Sequence, residues 1–300
     1  SRQAAGGCGD LSVKVIITGA GGQLGRALQA SAPAQADIIA LDRSTLDIGD
    51  EGAVIALIDE AEADLIINAA AYTAVDRAEN EQGEAYRINA DGPGNLAAAA
   101  AVQRARFIHV STDFVFDGAS GSPYRPDHPT APLGVYGASK LAGEQAVLHA
   151  DPRALIVRTA WVYGSTGNNF VRTMLRLMAE RDEVRVVADQ IGTPTFVDGL
   201  ARALWALDAA GATGIHHWTD SGATSWYDFA VAIQEEAFAL RMLARKVPVI
   251  PIATSDYPTP ARRPSYSVLD KSSTIALLGA PAPHWRAQLR DMLGVIKANG

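Results

Sequence analysis

The sequence predicts an α/β protein built on a doubly wound parallel sheet, with a smaller C-terminal lobe. Three observations carry this. Short β-branched runs alternate with helical patterns from Val13 to Trp161; glycine-rich punctuation follows the first run; and beyond Trp161 the alternation loosens. Alternation of this kind implies right-handed crossovers and a sheet covered on both faces.

The first strand is Val13 to Thr18, buried by its length and branching, and a helix starts at about Gln23. Asp37 to Leu41, Asp64 to Ala69, Arg106 to Val110 and Ala154 to Arg158 are further short apolar strands. Between them lie helical stretches near Glu51–Ala61, Glu81–Ala101 and Tyr136–His149. Farther on, Val184–Val187 and Ile215–Trp218 read as strands, and Thr195–Ala209 and Ser225–Leu240 as helices. A Pro-rich stretch runs from Pro248 to Pro264, and a final amphipathic helix from about His284 to Lys297. The expected division is a lead at 1–12, a nucleotide-binding unit at 13–160 with added elements at about 184–210, and a substrate-binding lobe at 161–183 and 211–300.

With 33 acidic against 26 basic residues the formal charge is −7, which argues against a nucleic-acid-binding or anionic-membrane surface. No stretch is long and apolar enough to span a bilayer, and the lead has no signal-peptide core. The lone cysteine, Cys8, has no internal disulfide partner, which together with the lead points to the cytoplasm.

Gly19-Ala20-Gly21-Gly22-Gln23-Leu24-Gly25 stands between a strand and a helix. Its glycines at 19, 22 and 25 allow a tight turn, and the helix N-terminus offers free N–H groups to a pyrophosphate. This is the dinucleotide fingerprint of a Rossmann fold, and it places Gly19, Gly22, Gln23, Leu24 and Gly25 on the cofactor. Asp42, after the second strand, suits the adenosine-ribose hydroxyls of NADH. Arg43 suits the 2′-phosphate of NADPH, or is a solvated surface charge. Asp47 reads either as a neighbour of the adenine or as a helix N-cap. Asn68-Ala69-Ala70-Ala71 ends the next strand with small side chains, leaving room for the cofactor over Ala69, Ala70 and Ala71.

Val110-Ser111-Thr112-Asp113 ends a strand and turns its hydroxyls to the crevice; Tyr136-Gly137-Ala138-Ser139-Lys140 opens a helix. Tyr136 and Lys140 share one helical face. An ammonium beside a phenol lowers its pKa by about 1–3 units and favours proton transfer at neutral pH. Lys140 would have three donors for the nicotinamide ribose, and Thr112 would orient a substrate carbonyl. His109 reads as a core histidine and His216-His217 as part of a strand.

Glycine loop, Ser-Thr strand end and Tyr-x-x-x-Lys, in this order, resemble the short-chain dehydrogenase/reductase superfamily. Longer segments resemble its dTDP-4-dehydrorhamnose reductases: Asn68 to Glu79, Val110 to Gly118, Val135 to Gly137 with Lys140 to Glu144, Arg158 to Gly164, Asp189 to Thr195 and Arg263 to Leu269. The resemblance implies hydride transfer from NADH or NADPH to C4 of dTDP-6-deoxy-L-lyxo-4-hexulose. Tyr136 would supply the proton, with Thr112 and Lys140 holding the carbonyl and the cofactor. It also implies Val75, Asp113, Phe114 and Trp161 as substrate-side residues and Arg263 as a diphosphate partner. Some members dimerise through Mg²⁺ held partly by an acidic side chain early on the first helix. Arg26-Ala27-Leu28 offers none, so no metal is expected, and the chain should be a monomer or a dimer without a bridging metal. Phe114 stands where a tyrosine is common, which removes a hydroxyl contact. The competing readings are a related 4-keto-6-deoxysugar reductase, a dehydratase or epimerase, and a non-catalytic subunit of the methionine adenosyltransferase type. Dehydratases usually carry Thr-Asp-Glu where this chain has Thr112-Asp113-Phe114.

Overall fold

The branched runs become parallel strands of one twisted sheet. The computed structural model describes residues 12–299, so the expected lead lies almost entirely outside the described residues. The nucleotide-binding half runs β1 (Val13–Thr18), α1 (Gln23–Ala30), β2 (Ala36–Leu41), α2 (Glu51–Ala61), β3 (Leu65–Asn68), α3 (Val75–Ala78), α4 (Gln82–Tyr86), α5 (Gly92–Gln103), β4 (Arg106–Thr112), α6 (Val135–Ala150) and β5 (Leu155–Thr159). Beyond it come β6 (Val162–Tyr163), α7 (Phe170–Glu180), β7 (Val184–Val187), β8 (Ile191–Gly192), β9 (Thr195–Phe196), α8 (Val197–Ala209), β10 (Gly214–His217), β11 (Thr224–Ser225), α9 (Trp226–Ala239), β12 (Val249–Ile252), α10 (Ser272–Leu278) and α11 (Trp285–Asn299).

The main sheet has six strands in the order β10-β5-β4-β3-β1-β2, and every pairing in it is parallel. After β2 the chain crosses back over β1 to lay down β3, so the strand order reverses between β1 and β3. Ligands of doubly wound sheets bind at such a point, outside the strands' carboxyl ends. Alternate side chains serve opposite faces. Val15, Ile17, Leu65 and Ile67 pack with residues of α8, α9 and α11. Ile16, Ile66, Phe107 and Ile156 pack with those of α2 and α5.

Two expectations need correction. Gly214–His217, placed in the second lobe by the sequence, is the sixth strand of the main sheet and pairs with β5 from Gly214↔Leu155 to His217↔Arg158. The long helix expected at Glu81–Ala101 is interrupted by a π-helical turn at Arg87–Asp91. Pro93 cannot donate to the carbonyl four residues back, at Asn89, and a wider turn resolves the mismatch. That turn buries Asn89, whose amide accepts from the Tyr72 N–H at 2.8 Å and donates to the Ser139 hydroxyl at 3.1 Å. It thereby ties the segment after β3 to α6.

Candidate active site

A cavity of about 1160 Å³ opens at the carboxyl edge of the sheet. Its floor is the glycine loop. Gly19 has φ +68°, and a Cβ there would sit 2.6 Å from the Ala70 nitrogen, so only glycine suits both the turn and the approach of the next strand end. No side chain caps α1, and its first turn holds no acidic residue, leaving its N–H groups for an anion. Gly22, Gln23 and Leu24 line the cavity, as do Ala69, Ala70 and Ala71. Gly25, expected on the cofactor, instead is buried beneath the loop, where a Cβ would lie 2.3 Å from the Gly19 carbonyl oxygen. Its part is the close packing of helix on loop.

At the ribose end the Asp42 Oδ1 accepts from the Ser44 hydroxyl at 2.6 Å and the Ser44 N–H at 2.8 Å, which holds the carboxyl below its ordinary range. The arrangement keeps Asp42 ionised at the cavity wall. Arg43 also lines the cavity, and its guanidinium lies 3.2 Å from Glu84 with most of the side chain in solvent. Asp47 is not a helix cap: Asp50 caps α2 by accepting from Ala53 N–H, whereas Asp47 accepts from the Arg87 guanidinium at 2.8 Å. If Arg43 meets a 2′-phosphate, Arg43→Ala raises KM for NADPH several-fold more than KM for NADH. Steady-state kinetics with both cofactors decide it: equal changes make Arg43 a surface charge only.

Thr112, at the end of β4, donates to the Asp113 Oδ1 at 3.0 Å and accepts from the Phe114 N–H at 3.2 Å. Ser111 does not face the cavity with its hydroxyl, which donates to the buried Glu144 carboxylate. Tyr136 lies in the first turn of α6, with the Phe114 ring edge-on at 5.4 Å. Its phenol runs against expectation: burial, helped by the Asp113 charge, pushes it up to about 12, and only the Thr112 hydroxyl works the other way. Lys140 lies one helical turn further and is buried. Its Nζ donates to the Val110 carbonyl at 2.7 Å and lies 3.3 Å from the His109 Nε2, so it does not keep three donors free. Burial lowers it to about 8, against the pull of Glu144.

Val75, Asp113, Phe114, Trp161 and Arg263 also line the cavity. Burial raises Asp113 to about 6, and its Oδ2 has no hydrogen-bond partner among the described residues. Arg263, expected to face a diphosphate, is bidentate on Asp76 at 3.0 and 2.8 Å and ties the C-terminal loop to α3. Trp161 adopts φ +47°, a left-handed conformation costly for a bulky residue, and stacks on Trp226 at 3.5 Å. Trp226 was not legible beforehand. It opens the helix read at Ser225–Leu240, but nothing in the spacing marks its ring for the cavity. Arg77 and the segment Thr166–Asn168 line the cavity and were likewise missed. His109 was read correctly as buried, but its contact with Lys140 emerges only in three dimensions.

Among the described residues no three His, Cys, Asp or Glu side chains gather to hold a metal, and no helix is long and apolar enough to cross a membrane. The His216 Nδ1 meets the Thr274 hydroxyl and the His217 Nδ1 meets the Asp270 carbonyl, so both rings face protein groups.

Fold and site together define a nicotinamide-dependent oxidoreductase of the short-chain type. The family model described as the RmlD substrate binding domain matches residues 13–297. A dTDP-4-dehydrorhamnose reductase of Aggregatibacter actinomycetemcomitans is 44% identical over 287 residues, covering 93% of this chain and 98% of that one. The enzyme of that name from Mycobacterium tuberculosis is 48% identical over 290 residues, covering 94% and 93%. The crystal structure of a dTDP-4-dehydrorhamnose reductase from Bacillus anthracis, in complex with NADP, superposes with TM-score 0.89 at 40% identity, over 95% and 99% of the two chains. The chain belongs to the dTDP-4-dehydrorhamnose reductase family.

Proposed function

We propose that this protein reduces the C4 keto group of dTDP-6-deoxy-L-lyxo-4-hexulose to give dTDP-L-rhamnose, using NADPH or NADH. The observation that carries the reading is the convergence of Thr112, Tyr136 and Lys140 on one wall of the cavity whose floor is the glycine loop. The loop fits a dinucleotide: its close backbone approach at Gly19 and the uncapped α1 N-terminus suit a pyrophosphate, and the ionised Asp42 suits a ribose diol.

A bound reduced nicotinamide supplies the hydride. Thr112 and Tyr136 hold the carbonyl oxygen by hydrogen bonds. As the C4 oxygen gains charge, Tyr136 passes it the phenolic proton, leaving an alcohol and a phenolate that regains its proton from solvent. A phenol held at about 12 is fully protonated at neutral pH, which suits an acid in the reductive direction. Lys140 orients the cofactor ribose. Trp161 and Val75 wall the sugar, and segments 161–183 and 211–300 supply most of the substrate side, apart from the sheet strand β10. Arg263 reaches a substrate diphosphate only by exchanging Asp76 for it.

Phe114 in place of a second acidic residue supports reduction over elimination, because no carboxylate follows Asp113 to drive loss of water. The intact Thr112, Tyr136 and Lys140 support an enzyme over a regulatory subunit. A single cysteine in 300 residues supports a cytoplasmic setting. The first helix, with no carboxylate at Arg26-Ala27-Leu28, supports a monomer or a dimer without a bridging metal.

Incubation of the pure protein with NADPH and the keto sugar, followed by reduced-nicotinamide absorbance and product chromatography, tests the assignment. Stoichiometric oxidation of NADPH with formation of the L-rhamnose nucleotide is expected, unchanged by excess EDTA. Turnover of the sugar without net cofactor oxidation would instead mark a dehydratase or epimerase.

A further inference from the structure

Behind Lys140 lies a buried polar chain that the proposed reaction does not itself use. The Thr18 hydroxyl donates to the Asn68 Oδ1 at 2.7 Å, and the Ala70 N–H donates to the same oxygen at 3.1 Å. These two donors fix which way the Asn68 amide points. Its Nδ2 is therefore the atom 3.1 Å from the His109 Nδ1. The His109 Nε2 lies 3.3 Å from the Lys140 Nζ. Thr18, Asn68, His109 and Lys140 are 1%, 0%, 0% and 2% exposed, so water offers no alternative partners.

A neutral imidazole has one N–H and one lone pair. Because Asn68 presents an N–H to Nδ1, that nitrogen must be the acceptor, and the ring proton sits on Nε2. An imidazolium would set N–H against N–H at Asn68, and burial beside Lys140 holds the ring far below its ordinary pKa. The proton on Nε2 then points at Lys140. An amine accepts it with its lone pair; an ammonium has no lone pair to offer.

We propose that Asn68, acting through the imidazole of His109, is a positioning residue for Lys140: it fixes the Nε2–H tautomer, so that an N–H rather than a lone pair meets the lysine nitrogen. The His109 N–H thus works with burial against the charged form of Lys140, while the Val110 carbonyl and Glu144 favour it, as an arriving anionic cofactor would. The other groups acting on Lys140 are the Val110 carbonyl, which accepts from its Nζ at 2.7 Å, and Glu144, which is itself engaged by Arg158 and Ser111. The inference rests on the assignment of Lys140 to the reductase site, but its first test does not depend on activity.

That test is the ¹⁵N spectrum of the full-length protein labelled at its six histidines, with His109 assigned by substitution. The Nε2–H tautomer is expected in the cofactor-free protein. An Nδ1–H tautomer or an imidazolium at neutral pH would overturn the proposal, whether or not the protein reduces the sugar. The second test is Asn68→Asp. The variant keeps an oxygen for Thr18 and Ala70 but places an acceptor at the His109 Nδ1, so the ring proton moves there and Nε2 offers Lys140 a lone pair. The alkaline fall of kcat/KM for NADPH, expected near pH 8 in the parent, should move up by about one unit or more as the tautomer reverses. Movement of that limb with the tautomer unchanged would show the new carboxylate acting through space, and would overturn the relay through His109. If Asn68→Asp does not fold, the parent spectrum alone decides.

Discussion

Tyr136→Phe is expected to lower kcat by about 10²–10⁴-fold, the span of a lost general acid. Cofactor affinity should barely change, because the ring remains and Lys140 is anchored by the Val110 carbonyl independently of the phenol. The direction of the phenol shift adds a further signature. Burial holds the hydroxyl at about 12, so the reductive reaction finds its acid loaded across the neutral range. The reverse oxidation needs the phenolate, and its rate should climb as pH rises toward that value. Steady-state kinetics of the variant check the first statement, and the pH profile of the oxidation by the parent, set against the variant, checks the second. Near-parental turnover, with a substrate isotope effect showing chemistry to be rate-limiting, would remove Tyr136 from the mechanism.

The largest expected effect on stability lies at the buried pair of Arg158 and Glu144. The guanidinium donates twice to the carboxylate, at 2.8 and 2.6 Å, and the side chains are 3% and 2% exposed. The second guanidinium edge reaches the Pro126 carbonyl at 3.2 Å, and the Phe116 ring lies 5.1 Å from its centre. Arg158→Met strands a carboxylate in the core, still facing Ser111, and should cost about 3–5 kcal/mol. Pairing it with Glu144→Leu removes the orphan charge and should recover much of that loss. Urea denaturation of the single and double variants measures both. A single variant within about 1 kcal/mol of the parent would mean that relaxation or water rescues the carboxylate.

The sheet was legible because its strands are buried on both faces, and so read as continuous branched runs such as Val15-Ile16-Ile17. The glycine loop was legible because Gly19 and Gly25 answer to steric demands that no other residue meets. The placement of β10 was not. Gly-Ile-His-His reads as a strand, but only the packing around it determines which sheet it joins. Arg263 looked like a diphosphate partner because its forked guanidinium can bind two oxygens, the alternative being a surface charge in a Pro-rich loop. Its pairing with Asp76 spans 187 residues and leaves no local trace. The expected fall in the Tyr136 pKa failed for a related reason. Helical spacing places Lys140 on the right face, but the direction of its ammonium is set by Val110 and His109, on a different element.

The late arrival of β10 bears on how the chain is made. Until residues 214–217 emerge, β5 is an edge strand, and its five residues Leu155–Thr159 are all buried in the finished molecule. A ribosome-bound chain therefore carries an open, apolar strand edge through the synthesis of roughly the next sixty residues, the kind of edge that recruits other chains. The same geometry denies a clean point of dissection. A cut before Gly214 would separate the two halves on paper, yet leave the nucleotide-binding piece with a bare sheet edge and without the α9 and α11 side chains that cover one of its faces.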